Sequence, residues 1–276
     1  MNTIVSSSSS SSSSLGIVAG LGLLPQIFVN EVKDVNFYII GFKKFFSKKL
    51  IKHAKKYCLL NNWDLEGIIN FFVQNNVKNI LFLGYIPHKI LLHKNIPMSE
   101  GTKMFFNKLI KNSAMEIFHN LETEFTKYGI SIEPVYKYLK ESFAEYGEIN
   151  NLKLTKEDLD NINFGFNIAK RLAEVDVGLT AVVKNKIIVA VEAIEGTDQC
   201  ILRAKKIAGE GCYVIKVARP NQDMRFDLPV IGPTTVKVLS KAKIKAVAVE
   251  AYKTLILKKQ WVIEETKKLG IPIYGI

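Results

Sequence analysis

The stretch LGIVAGLGLLPQIFVNEVK, Leu15 to Lys33, decides the first half of the fold. Leu15 to Ala19 reads as a buried strand, Gly20 and Gly22 as a tight turn, and Pro25 as a residue of the first turn of a helix, where its fixed φ and missing N–H cost nothing. VNFYIIGF (35–42) and NILFLGYI (79–86) are two further strands, with the helical segment LEGIINFFVQNNV (65–77) between them. Strands alternating with helices predict a parallel sheet covered on both faces. Residues 101–144 read as mostly helical.

The second half starts from Thr155, whose Thr-x-x-Asp spacing to Asp158 is a capping-box variant opening a long helix. TAVVKNKIIVAVEAIEGTD (180–198) then reads as a hairpin turning at Lys184 to Lys186, followed by a helix from about Thr197 to Ala208. After these come the strand CYVIKVA (212–218), a charged stretch, a helix, the strands IKAVAVEA and KTLILKK, another helix and the short strand IPIYG (271–275). The organisation expected is α/β in two domains. A disordered serine tail covers 1–14, a Rossmann-like domain with a parallel sheet 15–134, a linker 135–150, and a mixed-sheet α/β domain, the catalytic one, 151–276.

Composition bounds the function. A formal charge of +12 on 276 residues points to an anionic partner, although a general drift toward Lys, Asn and Ile raises the charge too. Cys58, Cys200 and Cys212 show neither CxxC nor paired spacing, which argues against a disulfide framework or a zinc site and for a reducing compartment. His53, His88, His93 and His119 make no ligand pair. Nine consecutive serines, Ser6 to Ser14, have nothing to bury, and neither a signal peptide nor a membrane span is expected around them. Seven lysines between Lys43 and Lys56, with Phe42, Phe45, Phe46, Leu50 and Ala54 on one stripe, predict a basic amphipathic helix suited to anionic lipid or simply to water. Its phenylalanines lie at helical spacing and make no stacking platform for RNA, so nucleic acid is not an expected partner.

The charged stretch is KVARPNQDMRFDLPVIG, Lys216 to Gly232. If it is extended, Asp223, Arg225 and Asp227 share one face and Met224, Phe226 and Leu228 the other. Such a pattern fits a surface strand with an outward ion pair; it also fits a carboxylate pair that holds a divalent cation or a water beside an arginine facing phosphate oxygens. Glu192, Glu195 and Asp198 lie in a second acidic turn at a strand end, where sites of open α/β sheets collect, and Thr197 and Asp198 open a helix whose free N–H groups favour an anion. AGLGLLP lacks the third glycine and the later acid of a dinucleotide fingerprint. A nicotinamide-dependent sugar-nucleotide oxidoreductase therefore remains an alternative without its acid, and a basic lipid- or RNA-binding adaptor one that leaves the acidic residues unexplained.

Taken in order, LGIVAGLGLLP, DVGLTAVV, VAVEAIEGTD, KVARPNQDMRFDLPVIGPTTV and IKAVAVEA resemble the LpxI-type UDP-2,3-diacylglucosamine pyrophosphatases over residues 15–276. The resemblance implies hydrolysis of the diphosphate of UDP-2,3-diacylglucosamine to UMP and 2,3-diacylglucosamine 1-phosphate, a step of lipid A synthesis at the cytoplasmic face of the inner membrane, with peripheral contact to anionic lipid. It also implies dependence on Mg²⁺ and a catalytic aspartate carried onto Asp227 first and Asp223 second; the charge of a diphosphate adds Arg225, whose planar fork can hold phosphoryl oxygens bidentately. Asp223, Asp227, Glu192, Glu195 and Asp198 are the expected metal ligands or their supports. Gly20, Gly22, Thr197, Lys216 and Gln222 are the expected substrate contacts. Monomer or homodimer is left open.

Overall fold

The computed structural model describes residues 13–85, 97–107 and 114–276. The chain divides into two compact units. The first comprises the described residues up to Gly84, those of 97–107 and His119–Glu133; the second comprises Pro134–Ile276 with Tyr85 and 114–118.

In the first unit, β1 (Ser13–Ala19), β2 (Val35–Phe42), β3 (Ala54–Leu60), β4 (Asn79–Leu83) and β5 (Ser131–Ile132) form a sheet in the order β3-β2-β1-β4-β5. Every pairing in it is parallel. β1 and β2 are apolar on both faces because both faces are covered. α1 (Leu24–Glu31) carries Pro25 in its first turn, and Asp64 caps α2 (Leu65–Gln74) by accepting from the Gly67 N–H at 3.0 Å. α3 (Glu100–Asn107) and α4 (Ala114–Thr126) follow. The helical reading of 101–144 ends there, since β5 and short 3-10 turns occupy the rest.

Two expectations change here. Ser13 and Ser14 belong to β1, paired with Val35 and Asn36, so the strand starts inside the serine tract; residues 1–12 of the expected tail lie outside the described residues. The lysine segment is not one amphipathic helix: a 3-10 turn over Lys48–His53 buries Leu50, and Ala54 starts β3. Parallel pairing with β2 outweighs local helical spacing, and β3 is an edge strand, where exposed lysines discourage further pairing.

The second unit holds a six-stranded mixed sheet in the order β6-β13-β11-β9-β7-β8. Its strands are β6 (Gly147–Glu148), β7 (Thr180–Lys184), β8 (Ile187–Val191), β9 (Tyr213–Lys216), β11 (Ala246–Val249) and β13 (Ile273–Gly275); β10 (Val230–Ile231) and β12 (Leu255–Ile256) pair separately in parallel. IKAVAVEA and KTLILKK are thus both strands but in different sheets. Strand alternation sorts the core into two layers. Ala181, Val183, Tyr213, Ile215, Ala246 and Ala248 pack with α5 (Lys156–Glu174), while Val182, Val214, Val247 and Val249 pack with α6 (Thr197–Ala208), α7 (Pro233–Ala242) and α8 (Lys259–Lys268). The hairpin turn is made by Asn185 and Lys186, both at positive φ (52° and 57°), as a tight two-residue connection requires.

The expected linker 135–150 is part of this unit. Phe143 bridges Leu255, β6 pairs with β13, and Asn150 is fully buried with hydrogen bonds to Thr266, Ile271 and Ile273. Its apolar and amide groups had partners far along the chain that spacing alone does not reveal.

Thr155 and Asp158 form the capping box of α5. The same Asp158 carboxylate accepts from Tyr213 Oη at 2.6 Å and pairs with Lys245 Nζ at 2.9 Å. Burial alone would raise its pKa, but the bonds from Tyr213, Lys245 and Thr155 outweigh burial and hold the carboxyl well below the usual range. A depressed folded-state pKa gives stability that is full above the unfolded value, about 3.9, and drains away as pH falls toward the folded one. Asp158→Asn is expected to lower stability at pH 7 by about 2 kcal/mol and to flatten the loss of stability below about pH 5. Urea midpoints across pH 3–7 check this; parallel wild-type and variant profiles would refute it.

Candidate active site

Three segments of the second unit meet at the C-terminal end of β9: residues 176–180 leading into β7, residues 192–198 running from the end of β8 into the first turn of α6, and the loop 217–229. Val217 N–H continues the β7–β9 ladder to the Leu179 carbonyl, and Glu192 N–H bonds the Thr180 carbonyl, both at 2.8 Å. Gly178 lies so close to Glu192 that a Cβ there would run into the Glu192 carbonyl oxygen.

One cluster surrounds Lys216, which is only 6% exposed. Its Nζ donates to Thr197 Oγ1 at 2.7 Å and to Thr180 Oγ1 at 3.3 Å, and Thr197 Oγ1 donates to Glu192 Oε1 at 2.9 Å. Glu192 Oε2 stands 3.7 Å from Lys216 Nζ and, among the described residues, accepts no hydrogen bond although it is buried. Burial would push the Glu192 pKa up; Lys216, Thr180 and Thr197 overcome this and hold it below its ordinary value. Asp198, in the first turn of α6, is raised, by burial first and by the Glu192 charge, against the pull of Lys216. Two carboxylates and one ammonium thus share a poorly solvated corner.

The second cluster is the charged loop. It is not a strand, so the expected alternation fails: residues 219–229 turn repeatedly, and Asp227 has a left-handed backbone, φ 45°. Asp223 closes on Arg225, taking its N–H at 2.9 Å, its Nε at 2.9 Å and its Nη2 at 2.6 Å. Burial opposes ionisation of Asp223, but these Arg225 bonds hold its pKa below the ordinary value. Phe226 stacks on Phe118 at 3.7 Å, and the Arg225 guanidinium lies over the same ring, so neighbouring residues share a surface that alternation would separate. Gln222 staples the loop, its Oε1 accepting from Arg219 N–H at 3.3 Å and its Nε2 donating to the carbonyls of Asp223 and Phe226 at 3.1 Å.

Arg219 organises this loop, and the sequence reading overlooked it. Its Nε and Nη2 meet Asp176 Oδ1 at 2.8 and 2.7 Å, and its Nη1 lies 2.8 Å from Asp227 Oδ2. Burial would lower its pKa, but Asp227 first and then Asp176 raise it, so the guanidinium is a fixed charge between two carboxylates. Asp176 lies 43 residues from Arg219, a pairing that no local spacing announces.

The five acids expected at a metal therefore do not form one set. Asp223 is committed to Arg225, Asp227 to Arg219, and Glu195 to Arg203 at 2.6 Å along α6, leaving Glu192 and Asp198 together. Among the described residues no group of three His, Cys, Asp or Glu gathers to hold an ion. In the first unit, Gly20 and Gly22 sit at the C-terminal end of β1, between β2 and β4, where the strand order reverses and α/β sheets receive ligands. Gly20 N–H bonds the Leu83 carbonyl at 2.8 Å, and Gly22 has φ 98°, open to glycine at no cost.

Residues 14–142 match the family model described as the LpxI N-terminal domain, and residues 145–274 that of the LpxI C-terminal domain. The chain belongs to the LpxI family. Both clusters, the one around Lys216 and the one around Arg219, lie wholly inside the matched LpxI C-terminal domain, and the glycine turn inside the LpxI N-terminal one. The chain is also similar to the UDP-2,3-diacylglucosamine pyrophosphatase LpxI of Caulobacter vibrioides, 29% identical over 161 residues. That match takes in 55% of this chain and 58% of the relative's length.

Proposed function

We propose that this chain hydrolyses the diphosphate of UDP-2,3-diacylglucosamine, releasing UMP and 2,3-diacylglucosamine 1-phosphate. The observation that carries the reading is that two cations end one strand, Lys216 beside Glu192 and Arg219 between Asp176 and Asp227, within an LpxI C-terminal domain. A diphosphate diester brings two negative charges and reacts slowly with water until that charge is neutralised and a water is oriented. Lys216 and Arg225 supply positive charge toward phosphoryl oxygens; Asp227, held by Arg219, accepts a hydrogen bond from the attacking water and takes its proton.

Mg²⁺ fits the remaining acids. It binds through one or two carboxylates plus substrate phosphates, so a three-carboxylate cage is not required. Glu192, with an unbonded buried Oε2, and Asp198 would hold it. When bound it neutralises charge on the diphosphate. The chain works on a lipid, and Lys43, Lys44, Lys48 and Lys49 are all exposed on the first unit. Among the described residues no helix is long and apolar enough to cross a membrane. Replacing these four lysines with glutamine is expected to weaken binding to anionic vesicles by about 1 kcal/mol per lysine; unchanged vesicle sedimentation would remove the lipid contact from this reading.

The test of the activity is UMP release from UDP-2,3-diacylglucosamine with Mg²⁺ present and after chelation. Release that stops on chelation supports the whole reading; release that persists removes Mg²⁺ from it. No release, with substrate-dependent reduction of a nicotinamide, would favour an oxidoreductase instead.

A further inference from the structure

Ala218 is fully buried and lies beyond the end of β9, where the sheet ladder no longer serves it. Its backbone is held instead by two side chains from different elements. Its N–H donates to Glu250 Oε2 at 2.8 Å, and its carbonyl accepts from Lys170 Nζ at 2.8 Å. Lys170 comes from α5 and Glu250 from the residue after β11, and the two bind each other at 3.0 and 3.1 Å, with 22% and 10% of their side chains exposed. Lys253 adds a contact to Glu250 Oε1 at 2.9 Å, and Glu250 N–H bonds the Lys216 carbonyl at 3.0 Å.

Satisfying one N–H and one carbonyl does not call for an ion pair. Neutral side chains do it without the cost of desolvating two charges. What the pair adds is rigidity at one residue, with the peptide units on both sides of Ala218 locked from a helix and from the end of a neighbouring strand at once. The next residue is Arg219, whose guanidinium must span Asp176 and Asp227. We propose that Lys170 and Glu250 are positioning residues for Arg219 and, through it, for Asp227. The inference rests on the hydrolytic reading above only for its kinetic consequence.

The experiment uses the full chain with Lys170→Met, Lys170→Arg and Glu250→Gln. Glu250→Gln keeps an acceptor for the Ala218 N–H and is the variant to rely on if Lys170→Met does not fold. Hydrogen exchange at Arg219 Nε, read by NMR, is expected to quicken about tenfold or more in Lys170→Met and Glu250→Gln, with Arg203 unchanged. For UDP-2,3-diacylglucosamine, kcat should fall about tenfold or more with KM within about threefold, and Lys170→Arg should regain most of it. Unchanged Arg219 exchange in folded variants overturns the inference, as does a rise in KM at constant kcat. If the wild-type chain hydrolyses nothing, the hydrolytic reading fails, and Arg219 exchange alone still decides this one.

Discussion

Asp227→Asn is expected to lower kcat for UDP-2,3-diacylglucosamine hydrolysis by about 10²–10⁴-fold while KM moves by no more than about threefold. Asparagine is the informative replacement because the site demands φ 45° at this residue. Asn and Asp are the non-glycine residues that enter the left-handed region most readily, so the loop keeps its course. The amide can still face Arg219 Nη1, now 2.8 Å from Asp227 Oδ2. What disappears is the ability to take a proton. Steady-state kinetics with a thermal melt as control measures both halves, and a folded Asp227→Asn protein with near wild-type kcat would remove Asp227 from the chemistry.

Lys216→Met should damage both turnover and stability. Methionine fills the space of the lysine stem but leaves Glu192, 14% exposed, without the cation 3.7 Å away. Stranding a buried charge in this way costs about 3–5 kcal/mol, and losing a phosphate-facing cation about 10²–10³ in kcat. The sign of the pH dependence distinguishes this from a packing defect. In the wild type the Glu192 pKa, pushed up by burial, is brought below its ordinary value with Lys216 as the leading cause. Its contribution is therefore full above the unfolded value, about 4.3, and is lost as pH falls through the folded one. Without Lys216, burial dominates, the pKa rises, and protonation relieves the variant. The stability gap between wild type and Lys216→Met should thus narrow between pH 7 and about pH 4.5. A constant gap would mean that the defect is steric. The double variant Lys216→Met, Glu192→Gln should recover stability but not turnover.

Much of the fold was legible because its elements carry local signals. Pro25 and the glycine turn marked the first strand-to-helix step, Thr155 and Asp158 marked the start of α5, and Lys184 to Lys186 marked the hairpin. The elements that were missed or misread depend on distant partners. β5 and β6 are two residues long and exist only because β4 and β13 lie beside them. Lys55 and Lys56 join an edge strand because β2 offers a parallel partner, against their helical spacing.

The site divides in the same way. Asp223, Arg225 and Asp227 were visible as a motif, and Thr197 and Asp198 as a helix start. Their true partners were not, since Arg219 reaches back to Asp176 and Lys216 to Thr180. The extended reading of the loop failed because Gln222 folds it onto its own carbonyls, a set of bonds that no two-residue period encodes.

Gly178 carries no functional group, yet it gears the two clusters together. Its backbone rests against the Glu192 carbonyl with no room for a methyl group, and the chain on either side of it delivers Asp176 to Arg219, from the turn before it, and Thr180 to Lys216, from the strand after it. An alanine at this position, the mildest change on any similarity scale, would wedge the strand away from residue 192 and shift both sets of partners at once. Drift of the sequence in this corner is therefore policed by an absence of atoms as firmly as by any charge.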